Sequence, residues 1–226
     1  MLNSIARATT SRVMDPIGRG LLRIGLSPDT VTVIGTIGAV AAATLLIGSG
    51  VLFWGTVAVT AFVLFDLVDG AMARARGYGT DYGIVLDASC DRLADGALFG
   101  AIAFYCFTQR DDRWLGVAAL VCLVCGQVIS YVKARADSVD LKIGGALAER
   151  AERNLLSLVG TGLAGLGLPL ALPICLWILT AASAFTVVQR LLQVRTAYRA
   201  SGRAGNPISN PWISEPETPN PDGSAP

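Results

Sequence analysis

The sequence predicts an all-α integral membrane protein: six transmembrane helices preceded by an N-terminal amphipathic juxtamembrane helix. Three observations carry that expectation. Charge is scarce, with Asp, Glu, Lys and Arg making up 15% of the chain, where a soluble domain has about 25%. Two long stretches, Thr30 to Phe65 and Asn154 to Gln189, contain no charged residue. Lys and Arg also gather on one side of the predicted turns, as they do in membrane proteins.

The elements follow in order. Met14, Ile17, Leu21 and Ile24 fall at helical spacing, interleaved with Arg7, Arg12, Arg19 and Arg23. That pattern predicts a helix lying on the membrane surface over residues 1–26. No long apolar run follows the first charges, so a signal peptide is not expected. Thr30 to Phe65 is too long for one span of about 20 residues. The Gly48-Ser49-Gly50 turn divides it into spans near 30–47 and 52–73. A third span is expected near 83–107 and a fourth near 114–136. The second uncharged stretch is broken by GLGLPLALP at 165–173 into a fifth and a sixth. With the N-terminus in the cytoplasm, the outward turns hold only Arg110 and Arg113, beside Asp111 and Asp112. The positive-inside rule then places both termini in the cytoplasm. The chain reads as a multi-pass protein of the cell's inner (plasma) membrane, its active site at the cytoplasmic face. Residues 27–200 form the six-helix domain. Residues 201–226, rich in Pro, Gly, Ser and Asn, read as a disordered cytoplasmic tail.

Composition excludes several chemistries. Histidine is absent, which removes His-ligated zinc and Ser-His-Asp catalysis. The five cysteines all lie in apolar stretches, including Cys122-Leu-Val-Cys125. They read as small core residues rather than as a redox or metal motif. A net charge of +1 gives no reason to expect a nucleic-acid partner.

Against this apolar background, DLVDGAMARARGYGTDYGIVLDASCD, residues 66–91, gathers four carboxylates. Asp66 and Asp69 are spaced i,i+3, and Asp87 and Asp91 i,i+4, so each pair shares a helix face. Both pairs fall at the cytoplasmic ends of antiparallel neighbouring spans. Four packed carboxylates repel, and each is costly near hydrocarbon. Cation binding resolves both problems. Oxygen ligands without His or Cys suit Mg²⁺, Mn²⁺ or Ca²⁺, and four carboxylates can hold two such ions. Gly70 permits close backbone approach, Ala71 and Ala73 keep the face small, and Arg74, one turn from Gly70, can meet a phosphate. Metal, small residues and arginine together suggest a diphosphate substrate. Two other readings stay open: a structural network with Arg74, Arg76 and Arg92, and a proton or ion path.

The pattern resembles the signature of the CDP-alcohol phosphotransferases. It reads Asp66, Asp69, Gly70, Ala73, Arg74, Gly83, Asp87 and Asp91, with every fixed position present. The layout extends the resemblance over about residues 1–200 and leaves the tail uncovered. The resemblance implies a homodimeric membrane enzyme that moves a phosphatidyl or similar group from a CDP-linked donor to an alcohol and releases CMP. It implies two divalent ions, Mg²⁺ with Mn²⁺ as an option, held by Asp66, Asp69 and Asp87. Asp91 shares in one ion site and acts as general base. In the donor site, Pro28, Asp29 and Thr32 stand where the family often carries a Pro-Asn-x-x-Thr-like element. Asp29 is a departure that still accepts hydrogen bonds from a nucleotide; Ser27 or Asp29 equally serves as a helix cap. Thr80 and Asp81, in the turn, join the nucleotide candidates, and Gly70, Ala73 and Arg74 the diphosphate ones.

The acceptor is read from basic residues at the later spans. QVISYVKARA and ERAER resemble the actinobacterial phosphatidylinositol phosphate synthases of this family. That resemblance implies CDP-diacylglycerol as donor and inositol 1-phosphate as acceptor, with Lys133, Arg153 and Arg190 on the acceptor phosphate. Ser130, one turn before Lys133, faces the same pocket. For any one of these residues, flanking charge of the positive-inside kind is an even alternative. Phosphatidylglycerophosphate synthase, acting on glycerol 3-phosphate, is the next reading. Cardiolipin synthase and an ion or proton transporter follow it.

Overall fold

The computed structural model describes residues 18–77 and 79–202 together with Pro16; the side chains of Asp66 and Leu67 lie outside that description. The described residues form helices and connecting turns, without a strand. Six long helices follow one another. They are α1 (Pro28–Ala42, extended by a π-helical turn at Ala43–Ile47), α2 (Leu52–Arg76), α3 (Asp81–Thr108), α4 (Arg113–Ser138), α5 (Arg150–Gly165) and α6 (Ala171–Ala200).

Local chemistry accounts for the helix ends. Ser27 caps α1 by accepting a 3.1 Å hydrogen bond from the Thr30 amide, and Pro28 begins the helix. Proline suits that position because its missing N–H has no intrahelical partner there anyway. Thr80 caps α3 in the same way through the Gly83 amide at 2.9 Å. Asp112 caps α4 through the Leu115 amide at 3.0 Å. Such caps each stabilise by about 1 kcal/mol. Gly77 ends α2 at φ 80°, a left-handed conformation open to glycine at little steric cost.

The helices close into a ring: α1 packs on α2 and α3, α3 on α4, α4 on α6, α6 on α5, and α5 on α2. Ile47, Phe99, Ile102, Leu115, Leu172 and Leu176 fill its buried centre. The outer surface is apolar as well. Leu45, Trp54, Trp114, Leu155, Ile174 and Leu191 are all exposed, the inverse of a soluble surface and the surface a lipid solvent requires. Among the described residues, four helical stretches are long and apolar enough to cross a membrane: Pro28–Ile47, Leu52–Arg76, Arg113–Ser138 and Ala171–Ala200. The expected count was six. The third expected span, α3, carries Asp87, Asp91, Arg92 and Asp95 deep into its length. The fifth, α5, opens with Arg150, Glu152 and Arg153 and runs for only 16 residues.

Of the expected juxtamembrane helix, residues 18–23 are helical. Leu21, Leu22 and Leu26 pack against Val31, Val68 and Met72 of α1 and α2. Residues 1–15 and 17, and the expected tail beyond Gly202, lie outside the described residues. The cysteines are free thiols, with Cys90, Cys106 and Cys122 buried.

Ring closure depends on close approach at Gly165, where a Cβ would stand 2.3 Å from the Phe53 amide nitrogen. Backbone cannot yield as a side chain does. Gly165→Ala should therefore destabilise the fold by about 1–3 kcal/mol. Thermal unfolding in detergent should show a midpoint lower by about 2–4 °C for each kcal/mol.

Candidate active site: a cleft and a groove flanking one helix

The N-terminal half of α3 is a wall between two openings. The first is a cleft between α1, α2 and α3, lined by Pro28, Asp29, Thr32, Asp69, Gly70, Ala73, Arg76, Gly79, Thr80, Gly83, Ile84 and Asp87. Five of the residues expected at the donor, Asp29, Thr32, Gly70, Ala73 and Thr80, thus share one space with two of the expected metal ligands. The Thr32 hydroxyl donates to Asp69 Oδ2 and lies 3.1 Å from the Pro28 carbonyl, so α1 orients a carboxylate of α2. At Gly83 a Cβ would stand 3.0 Å from Thr80 Oγ1 and 3.3 Å from Asp29 Oδ1. A side chain there would crowd both.

Arg76 lines the cleft, and Arg74 Nη1 stands beside the cleft residue Gly70, 3.4 Å from where a Cβ would be, as their one-turn spacing allows. The Asp66 side chain falls outside the described residues; α2 places it one turn before Asp69.

The second opening is a groove between α3 and α4. Asp91 and Arg92 border it from α3, and Gln127, Ser130, Tyr131 and Lys133 from α4. Ser130 and Lys133 thus face one space with Asp91, as their spacing predicted. Asp87 turns to the cleft and Asp91, one turn on, to the groove. Asp91 also borders a small pocket with Gly35, Thr36 and Ala39 of α1, Phe62 and Val63 of α2 and Arg150 of α5, so it faces the inside of the ring as well as the groove.

Behind Asp91 lies an ion-pair network joining α3 to α5. Arg150 Nη1 is 2.7 Å from Asp91 Oδ1, and its Nε is 3.3 Å from Asp95 Oδ1. Arg92 Nη2 lies 3.9 Å from Asp91 and 3.5 Å from Asp95. Arg153, 1% exposed, reaches Asp95 at 3.4 Å and donates to the Ala148 carbonyl at 3.1 Å. Arg190, also 1% exposed, donates to the Gly144 carbonyl and pairs with Glu149 at 2.7 Å. Arg153 and Arg190 therefore do not line the groove with Lys133. Both are held by protein partners and sealed from solvent. Sequence reasoning missed Asp95, Arg150 and Asn154, and it named Arg76 only as a partner in a structural network. A signal for Asp95 was present, since it extends the i,i+4 series of Asp87 and Asp91 by one turn.

The cleft's donor set fits a hard divalent cation. Asp69 faces the like charges of Asp87 and Asp29, and among the described residues no lysine or arginine forms an ion pair with Asp69 or Asp87. Carboxylate oxygens without compensating side chains are what Mg²⁺ and Mn²⁺ take. Among the described residues no group of three His, Cys, Asp or Glu side chains is gathered tightly enough for a metal site.

A model of the CDP-alcohol phosphatidyltransferase family matches residues 26–189. The chain belongs to that family. The match includes the whole motif, both openings and the network behind Asp91. The phosphatidylinositol phosphate synthase of Mycobacterium marinum is 50% identical over 196 residues, covering 85% of this chain and 84% of its own. The Mycobacterium tuberculosis protein of that name is 47% identical over 206 residues, covering 90% of this chain and 95% of its own. The crystal structure of the M. tuberculosis synthase with CDP-DAG bound superposes with a TM-score of 0.79 at 49% identity, over 82% of this chain and 94% of that one. Its complex with manganese and citrate gives 0.78 at 49% identity, over 81% and 89%.

Thr32→Val keeps the side chain's shape and removes the hydroxyl that orients Asp69. Loss of a hydrogen bond to a ligand commonly weakens metal affinity about 10–100-fold. The Mg²⁺ concentration for half-maximal activity should rise by about tenfold or more, as a metal titration of CMP release would show.

Proposed function

We propose that the protein transfers the phosphatidyl group of CDP-diacylglycerol to a hydroxyl of 1D-myo-inositol 1-phosphate, giving phosphatidylinositol phosphate and CMP. The observation that carries the proposal is the placement of Asp91. It borders the groove that holds Lys133 and Ser130, and stands one turn along α3 from Asp87 in the donor cleft. The close relatives named phosphatidylinositol phosphate synthase support the same reading.

Asp66, Asp69, Asp87 and Asp91 would hold two divalent ions, Mg²⁺ or Mn²⁺; manganese is present in one structure of the M. tuberculosis relative. When bound, such ions neutralise a diphosphate and stabilise a departing nucleotide phosphate. The chain's own residues do the rest. Thr32 keeps Asp69 oriented. Asp29 and Thr80 meet the nucleotide, while Gly70 and Ala73 let the diphosphate approach Arg74 and Arg76. Lys133 and Ser130 hold the acceptor phosphate, with Arg153 and Arg190 adding positive potential from behind the wall. Arg150 orients Asp91. Asp91 takes the acceptor hydroxyl's proton as that oxygen bonds to the lipid phosphorus. The bond from phosphorus to the CMP oxygen breaks, and no enzyme-bound phosphatidyl group forms.

The surrounding organisation belongs to the same proposal. All six helices span the inner (plasma) membrane, with both termini and the site on the cytoplasmic side. The 1–26 segment lies on the bilayer surface, the tail follows residue 200, and two chains form a homodimer. The ring accommodates α3 and α5 as spans because their charges face one another rather than lipid.

The direct test is CMP release by purified protein with CDP-diacylglycerol and Mg²⁺, comparing inositol 1-phosphate, free inositol and glycerol 3-phosphate. Turnover with inositol 1-phosphate alone is expected. Turnover with glycerol 3-phosphate instead would keep the chemistry and overturn the acceptor; CMP with none of the three would overturn the proposal. Two variants refine it. Asp91→Asn should lower kcat by about 10²–10⁴ while CDP-diacylglycerol still binds, and retained activity would remove Asp91 as base. Lys133→Ala should raise the acceptor KM by about tenfold, the scale of one hydrogen bond to a charged group. An effect confined to the donor would put Lys133 in the wrong half.

A further inference from the structure

Asp95 is the buried carboxylate among the described residues, at 3% exposure. It lies one turn beyond Asp91 on α3 and away from both openings. Four side chains converge on it: Arg92 at 3.5 Å, Arg150 at 3.3 Å, Arg153 at 3.4 Å and Asn154 at 3.1 Å. Three of the four come from the first turns of α5.

Two features separate this cluster from a simple helix staple. Arg150 uses one guanidinium for two carboxylates, Nη1 on Asp91 and Nε on Asp95. Asp95 thereby determines where Arg150 stands, and Arg150 where Asp91 points. The charges also do not balance. Among the described residues Arg92, Arg150 and Arg153 form ion pairs with Asp91 and Asp95, three cations to two carboxylates. Arg153 is the buried one, and an anion beside it would offset its desolvation. The Arg153 Nε atom, buried, has no hydrogen-bond partner among the described residues. It rests against Gly126 of α4, where a Cβ would stand 3.0 Å away. Gly126 lies one turn before Ser130 on the helix that carries Lys133. The excess charge thus backs onto the wall of the groove.

We propose that Asp95 is a positioning residue for the acceptor half of the site: it holds Arg150 and Arg153 so that Asp91 is aimed and the groove stays ready for a phosphate-bearing alcohol. The inference rests on the reading of the groove as the acceptor site. It assigns Asp95 no contact with substrate.

Asp95→Asn keeps the shape, removes the charge and turns amide hydrogens toward arginines. In reconstituted protein the acceptor KM should rise at least about tenfold, the scale of losing one charged hydrogen-bond partner. The KM for CDP-diacylglycerol should stay within about twofold, because the cleft lies on the other side of α3. Asp95→Glu restores the charge one methylene out of place and should recover part of the loss. Where Asp95→Asn does not fold, Asp95→Glu alone must still raise the acceptor KM about threefold. A folded variant of either kind with unchanged acceptor KM would overturn the proposal, as would donor and acceptor KM rising together. Inorganic phosphate, titrated calorimetrically, is a probe independent of the acceptor's identity. Its binding should weaken at least about fivefold in Asp95→Asn, and equal binding in both proteins would also overturn the proposal. Wild-type protein that binds phosphate but releases no CMP with inositol 1-phosphate would count against the acceptor assignment, while a phosphate difference between the two proteins would still uphold Asp95.

Discussion

The ion pair between α3 and α5 is the interaction on which the site depends. A carboxylate inside an apolar helix ring must find a cation or an opening to water. α3 uses both. Asp87 opens to the cleft, Asp95 is surrounded by arginines, and Asp91 stands between, paired with Arg150 and bordering the groove. Removing one partner of a buried pair usually costs about 3–5 kcal/mol because the other is left uncompensated. The same contacts that let charged helices join the ring therefore set the direction of the Asp91 carboxylate.

This arrangement also separates the two substrates. On the proposed reading, donor residues come from α1, α2 and the start of α3, and acceptor residues from α3 and α4. Asp91 borders both the groove and a pocket beside α1 and α2, so hydroxyl and diphosphate would meet beside it. Small residues make the approach possible. Gly83 leaves room for Thr80 and Asp29, and Gly126 accommodates Arg153.

Much of this was legible in the sequence because its signals are local. Helix ends follow from Ser27, Thr80 and Gly77, and the turn near 48–51 from its glycines. Gly70, Asp69 and Asp87 belong to a motif with fixed spacing, and the resemblance it carries brought Asp29, Thr32 and Thr80 to the same cleft. What escaped was set by distant pairing. Arg153 and Arg190 read in the sequence as acceptor-phosphate residues or flanking charges, yet both are buried against partners far along the chain. Arg74 and Arg76 differ by about 200° around a helix at 100° per residue, and only packing decides which one faces the cleft. Asp95 lacked a motif position, so its i,i+4 relation to Asp91 passed unread.

On the proposed reading, donor and acceptor react directly beside α3, without a covalent intermediate on the enzyme. The most direct measurement is the stereochemical course of one turnover, using CDP-diacylglycerol made chiral at the transferred phosphorus with oxygen isotopes. A single in-line displacement predicts inversion at that phosphorus. Retention would require two displacements and a phosphatidyl-enzyme, and would contradict the account.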